Sequence, residues 1–253
     1  MTKREIEQRM RLQLACDLNC APEDFSRPEN VITLSAALPG RRRYAEEPFF
    51  FQMASFGENA VLSADERLHP WLREWTRGKQ GYWLFEQHNF YALECELRKY
   101  GYKMELTHHM FLPTPELIPC ETSLSLRRLE QTDIGAWYGR PELSNALCAR
   151  FHPERPDVLA LAAFDGEALM GMAGCSEDAP GLWQIGIDVL PPYRRRGVGT
   201  TLVTLLRNEA LRRGALPFYG TSLSNLGSWR VALGSGFYPA WVEAEARREE
   251  DKR

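Results

Sequence analysis

Apolar residues recur at every fourth position near the start of the chain, at Ile6, Met10, Leu14 and Leu18, with charges between them. That spacing predicts an amphipathic helix. The stretch from Asn19 to Asn30 holds two prolines and several cap-forming residues and reads as a connection. Beyond it, Asn59 to Ser63 reads as a strand, with Ser63 as the cap of a following helix. Tyr82 to Phe85 reads as a second strand. Phe90 to Tyr100 reads as a helix stopped by Gly101.

Leu112 to Pro119 carries three prolines in eight residues, which neither a helix nor a central strand can absorb. A domain boundary is placed there, giving an N-terminal α/β domain over 1–119 and a second domain over 120–253. The pattern after it is regular. Strands are expected at Ser123 to Leu129, Val158 to Phe164, Leu169 to Gly174 and Leu182 to Val189. Asp165-Gly166 and Ala179-Pro180-Gly181 supply the turns between the last three. A helix from Val198 to Arg213, a strand from Pro217 to Leu223, a short helix and a strand from Pro239 to Glu245 complete the series. Strands in succession followed by a strand–helix–strand crossover predict an α/β (α+β) fold, a mixed sheet with helices packed on it.

Composition changes this picture little. The 253 residues are 44% hydrophobic and 26% charged with a formal net charge of −3, so nucleic acid, which needs clustered cations, is not an expected partner. No apolar run approaches the roughly 18–20 residues that span a bilayer, and the first residues lack the apolar core of a secretory signal. No membrane association and a cytoplasmic location are therefore expected. The six cysteines are scattered, and no second Cys/His pair completes a zinc set with Cys16 and Cys20. No metal is expected, and the thiols read as buried small hydrophobes.

The informative run is Val189-Leu190-Pro191-Pro192-Tyr193-Arg194-Arg195-Arg196-Gly197-Val198-Gly199-Thr200, between an apolar strand and a helix. A helix start presents N–H groups without acceptors and a partial positive charge, which together suit an anion such as a pyrophosphate. Gly197 and Gly199 permit close approach to the backbone. This stretch resembles the pyrophosphate-binding motif of the GNAT superfamily of N-acetyltransferases, with Val189, Pro191, Tyr193, Arg194, Gly197 and Gly199 in register. A second feature agrees: Asn225 is followed eleven residues later by Gly236-Phe237. The resemblance covers about half of the chain.

The resemblance implies a mostly antiparallel GNAT sheet with splayed central strands, and acetyl-CoA as co-substrate. It implies that Ile187 and Val189 bond the pantetheine through their backbone, that amides of Arg195, Arg196, Gly197, Val198, Gly199 and Thr200 hold the pyrophosphate beside Arg194, and that Asn225 fixes the pantetheine. It also implies direct acetyl transfer to the amine of a small-molecule acceptor. Two family side chains are missing. The usual tyrosine acid is replaced by Ala232 and the usual glutamate base by Trp183. Asp188 and Tyr219 are the substitutes nearest the expected reaction centre, and His152 and Glu154 lie in the 141–156 segment expected to border the acceptor. A noncatalytic acyl-CoA sensor and a protein-modifying acetyltransferase are the alternatives, and a homodimer is left open.

Residues 1–111 hold no motif with chemistry. Trp83 to Phe85, Asn89, a helix and Gly101-Tyr102 echo Tyr219, Asn225, a helix and Gly236-Phe237, which suggests a degenerate half-GNAT unit. The two-part layout also resembles a bacterial group of GNAT proteins that includes antibiotic-resistance acetyltransferases.

Overall fold

A computed structural model describes residues 1–43 and 48–249. It divides into two compact units, one made of Glu7–Met110 and Ala240–Arg253 and the other of Met1–Ile6 and Phe111–Pro239. In chain order the elements are α1 (Lys3–Asp17), β1 (Val31–Leu34), β2 (Phe51–Ser55), β3 (Ala60–Ala64), α2 (His69–Thr76), α3 (Gln87–Arg98) and β4 (Tyr102–Pro113). They continue with β5 (Ser125–Glu130), α4 (Gln131–Ile134), β6 (Asp157–Asp165), β7 (Ala168–Ala179), β8 (Leu182–Val189), α5 (Val198–Arg212), β9 (Leu216–Ser222), α6 (Leu226–Gly234) and β10 (Phe237–Arg248). The division falls inside β4, after Met110, and inside β10, after Pro239.

In the first unit the strand order is β1-β3-β2-β10-β4. Met10, Leu14 and Leu18 here, like Ile6 of the other unit, are buried, as the four-residue spacing predicts. Two expectations fail here. Ser63 is a ladder residue opposite Gln52, fully buried, and a 3-10 turn, Glu66–Leu68, precedes α2, capped by Asp65, whose side chain accepts from the Arg67 N–H. Gly81–Phe85 is a 3-10 turn instead of a strand. Gly81 lies so close to Asn59 and Ala60 that a Cβ would strike their backbone, and the Asn89 amide donates to the Trp83 carbonyl at 2.7 Å. Those contacts curl the segment and leave Tyr82 and Trp83 exposed.

In the second unit the order is β9-β8-β7-β6-β5, antiparallel throughout except for the parallel pair β8–β9. This is the mixed sheet that the pattern predicted, and mostly antiparallel as the resemblance implied. One face carries Leu159, Leu161, Ala173, Cys175 and Ile185, on which α5 packs Val198, Leu202, Val203 and Leu206. The opposite face carries Ala160, Ala162 and Met172, covered by Leu129, Ile134, Leu143, Ala146 and Leu147. Gly166 and Gly214 take left-handed φ values of 60° and 77° at the hairpin and at the end of α5, as their positions require. Arg207, buried on α5, donates to the Thr114 carbonyl at 2.5 Å and to the Glu116 carbonyl at 3.0 Å. The proline-rich segment is thereby fastened to this helix. No helix among the described residues is long and apolar enough to cross a membrane.

Candidate active site

β8 and β9 are laddered from Leu182–Leu216 to Ile185–Tyr219, and both strands run on past the last pair. On its other edge β8 stays paired with β7 through Val189–Gly171. The Leu190 N–H donates to the Met170 carbonyl at 2.9 Å, which marks 190–170 as a hydrogen-bonded pair. Backbone direction alternates along an antiparallel strand, so Gly186 and Asp188 also point to β7. Ile187 and Val189 point the other way, toward the side where the β9 ladder has ended. The resemblance assigned its backbone contacts to these two residues, and the alternation turns both toward one open edge.

The loop after β8 begins as a 3-10 turn, Pro191–Tyr193, and ends at Gly197, the N-cap of α5. Gly197 has φ 80°, and no side chain caps the helix. Arg195 also takes a left-handed φ, 61°, a conformation that costs a non-glycine residue about 1 kcal/mol. Left-handed residues in a turn are a feature of backbone nests, concavities whose N–H groups suit an anion. The first helical bond runs from the Thr201 N–H to the Gly197 carbonyl. Among the described residues none accepts from the amides of Arg195 through Thr200.

The side chains in this turn divide their tasks. Arg194 turns back, its Nε donating to the Val189 carbonyl at 2.9 Å, and so fixes the loop to the strand end. Arg196 lies 5.5 Å from the Tyr193 ring centroid. Gly197 faces open space, whereas a Cβ on Gly199 would press on Val189 and Val231. The smallness of Gly199 therefore serves helix–strand packing, and only Gly197 leaves room for a ligand, a narrower use than the sequence suggested. Asn225 caps α6, its Oδ1 accepting from the Ser228 N–H at 3.1 Å, so its amide nitrogen is the part that remains to meet a pantetheine.

Asp188 is a strand-end carboxylate bonded to a loop, the plainer of the two uses that its position on the strand allows. Its Oδ2 accepts from the backbone N–H groups of Asn145 and Ala146, each at 2.8 Å, and its Oδ1 from the Asn145 amide at 2.6 Å. Three of the roughly four acceptor positions of this carboxylate are thus committed to the loop. Tyr219 is 2% exposed, and burial, with Asp188 adding to it, raises its phenol above the usual value despite the hydroxyl bond to Ser228. The Tyr219 hydroxyl and Ser228 Oγ are 2.7 Å apart, and Ser228, on the first turn of α6, is less buried. Sequence reading missed Ser228 because only the fold brings it to Tyr219.

His152 Nδ1 is buried without a hydrogen-bond partner in the protein. Cys148 is pushed up to about 11, by burial first and then by the neighbouring Asp157, and burial raises Cys175 well above the ordinary thiol. Neither cysteine is set up as a thiolate nucleophile. Among the described residues no group of three or more His, Cys, Asp or Glu side chains is arranged to hold a metal.

Residues 124–237 match the model of the acetyltransferase (GNAT) family. No curated protein matches the chain. Among solved structures, an acetyltransferase assigned to the GNAT family from Novosphingobium aromaticivorans is 17% identical over 58% of this chain and 66% of its own, with TM-score 0.46. That is just under two thirds of its length. A GCN5-related N-acetyltransferase-like protein from Streptococcus suis is 17% identical over 74% of this chain and 79% of its own, with TM-score 0.48. The yncA protein of Salmonella typhimurium, described as an acetyltransferase and solved with its cofactor acetyl-CoA, is 16% identical over 52% of this chain and 96% of its own, with TM-score 0.36.

Proposed function

The chain carries a GNAT acetyltransferase domain over residues 124–237, and from that premise we propose that the protein transfers the acetyl group of acetyl-CoA directly to the amine of a small molecule. The observation that carries the reading is the uncapped start of α5, where the amides of Arg195 to Thr200 have no acceptor among the described residues. Helix-end effects are worth only about 0.3–2 kcal/mol each, so several amides acting together are what makes a diphosphate site. Acetyl-CoA supplies the activated acyl group as a thioester.

The residues divide the work along one strand edge. Arg195 to Thr200 bind the diphosphate, and Arg194 keeps that loop attached to β8. The Ile187 and Val189 N–H groups face the open edge and are the donors for an oxygen that gains charge, a role worth about 3–4 kcal/mol where geometry is favourable. The Asn225 amide nitrogen orients the pantetheine. The Tyr219–Ser228 hydroxyl pair is the proton donor for the departing sulfur, in place of the tyrosine missing at Ala232. Direct transfer is supported by the protonated state in which burial holds Cys148 and Cys175.

A thermal shift with acetyl-CoA tests the binding step. Ligand at 100 times its dissociation constant adds about 2.7 kcal/mol, and a domain of this size moves about 2–4 °C per kcal/mol. A rise of several degrees is expected with acetyl-CoA and none with S-acetyl-N-acetylcysteamine, which lacks the diphosphate. No rise with either would end the proposal. A second reading, an acyl-CoA-binding module without turnover, draws support from the commitment of Asp188 to a loop. Release of free thiol in a panel of amines separates the two: turnover favours the enzyme, and binding without turnover favours the sensor.

A further inference from the structure

Gly174 and Gly186 are cross-strand partners on β7 and β8. A Cβ on Gly186 would fall on the Asn145 carbonyl oxygen, and one on Gly174 on the Ala146 carbonyl oxygen. Glycine inside a strand often marks such a close backbone approach. Asp188 lies two residues beyond Gly186 on the same face. It takes the two backbone N–H groups of this same dipeptide and the Asn145 amide, from 43 residues away. The Asn145–Ala146 segment is thus seated on two bare strand positions and held by one carboxylate.

That carboxylate belongs to β8 between Ile187 and Val189, whose backbone faces the open edge. One strand therefore presents the thioester-binding groups along its edge and fixes the neighbouring loop from its face. Resting on the function proposed above, we infer that Asp188 is a positioning residue: with Gly174 and Gly186 it locks loop 145–147 in register with the thioester site, and that loop forms the wall that aligns the acceptor amine. The wall sets which amines are accepted, because bulky ones need it for alignment and the smallest do not. Misplacing aligned groups by about 1 Å costs up to about a hundredfold in rate.

The test uses Asp188→Ala and Gly186→Ala, with Asp188→Asn as the conservative variant, in the full chain. Enzyme-dependent thiol release from acetyl-CoA is measured with hydroxylamine, tyramine and spermidine. The variants are expected to lower kcat/KM for tyramine or spermidine relative to hydroxylamine by about tenfold or more, to keep the acetyl-CoA thermal shift, and to speed hydrogen exchange at the Asn145 and Ala146 amides. Asp188→Asn keeps one acceptor oxygen and should recover part of the selectivity. Gly186→Ala unseats the loop from the opposite side and carries the test if Asp188→Ala does not fold. Amine ratios unchanged from those of the wild type overturn the positioning role, including the case in which hydroxylamine alone reacts in both. Unchanged exchange at Asn145 and Ala146 overturns the clamp itself. A wild type with no acetyl-CoA shift overturns the enzyme reading separately, since the exchange measurement needs no ligand.

Discussion

Each unit contains a strand that feeds a helix through a short turn, and the two turns end differently. After β3, Asp65 folds its carboxylate over the turn and accepts the Arg67 N–H at 3.1 Å, and Pro70 removes one donor from the first turn of α2. After β8, the cap is a glycine without a side-chain acceptor and the following amides have no acceptor among the described residues. The first turn sets its own carboxylate on an amide of the 3-10 turn Glu66–Leu68 that leads into α2, whereas the second sets no side chain on its helix start. A strand–turn–helix unit is thus a site only where the protein declines to close it.

The largest expected effect comes from giving the second turn what the first already has. Gly197→Asp places a carboxylate among those amides, where it competes for them, repels a diphosphate and takes on left-handed strain. The acetyl-CoA thermal shift should disappear, with unliganded stability lowered by only about 1 kcal/mol. A retained shift would place the nucleotide elsewhere.

Next is the contrast in how the units use buried charge. In the first, Arg42 joins Asp17 and Glu243, the latter at 2.9 Å. Burial raises the Glu243 carboxyl, but Arg42 and the Trp241 bond, helped by His108, outweigh it and hold the carboxyl below its usual range. A depressed folded pKa gives stability that is present above the unfolded value, about 4.3, and is lost as pH falls through the folded value. Glu243→Gln should therefore cost about 2–3 kcal/mol at pH 7, with the difference shrinking below pH 4, as urea titrations at several pH values would show. In the second unit, burial pushes Arg207 down to about 10, and it donates to backbone carbonyls, the Thr114 hydroxyl and the Asn208 side chain. Arg207→Ala should cost a similar amount, about 2–3 kcal/mol, with little dependence on pH between 5 and 8.

The smallest effects lie in the turns themselves. Asp65→Ala removes a cap and should cost about 1 kcal/mol without creating any response to acetyl-CoA. Arg195→Gly relieves a left-handed residue and should stabilise the unliganded protein by about 0.5–1 kcal/mol, while weakening acetyl-CoA binding through loss of one charge. A destabilised Arg195→Gly would mean that the side chain makes contacts beyond its backbone strain.

Much of this organisation was legible in the chain. The strands β5 to β9 lie within a few residues of their expected places, apart from a β7 that continues to Ala179, because alternation and the Gly166, Gly181 and Gly214 turns act over a few residues. The uncapped turn after β8 was legible for the same reason: helix start, glycine and neighbouring strand lie within a dozen positions. Tyr82 to Phe85 was misread because its 3-10 form comes from Asn59, Ala60 and Asn89. The role of Ser228 and the particular loop that Asp188 holds were hidden because Tyr219 and Asn145 with Ala146 are brought to them by sheet pairing and helix packing.

The sequence by itself determined where the helix end with unused amides would fall, since φ preference, the absence of a capping side chain and hydrophobic period are local properties. Tertiary structure alone decided which loop Asp188 holds, that Gly199 serves packing and that Ile187 and Val189 face an open edge. Those outcomes depend on which distant backbone arrives beside each residue, and local preference carries no information about that.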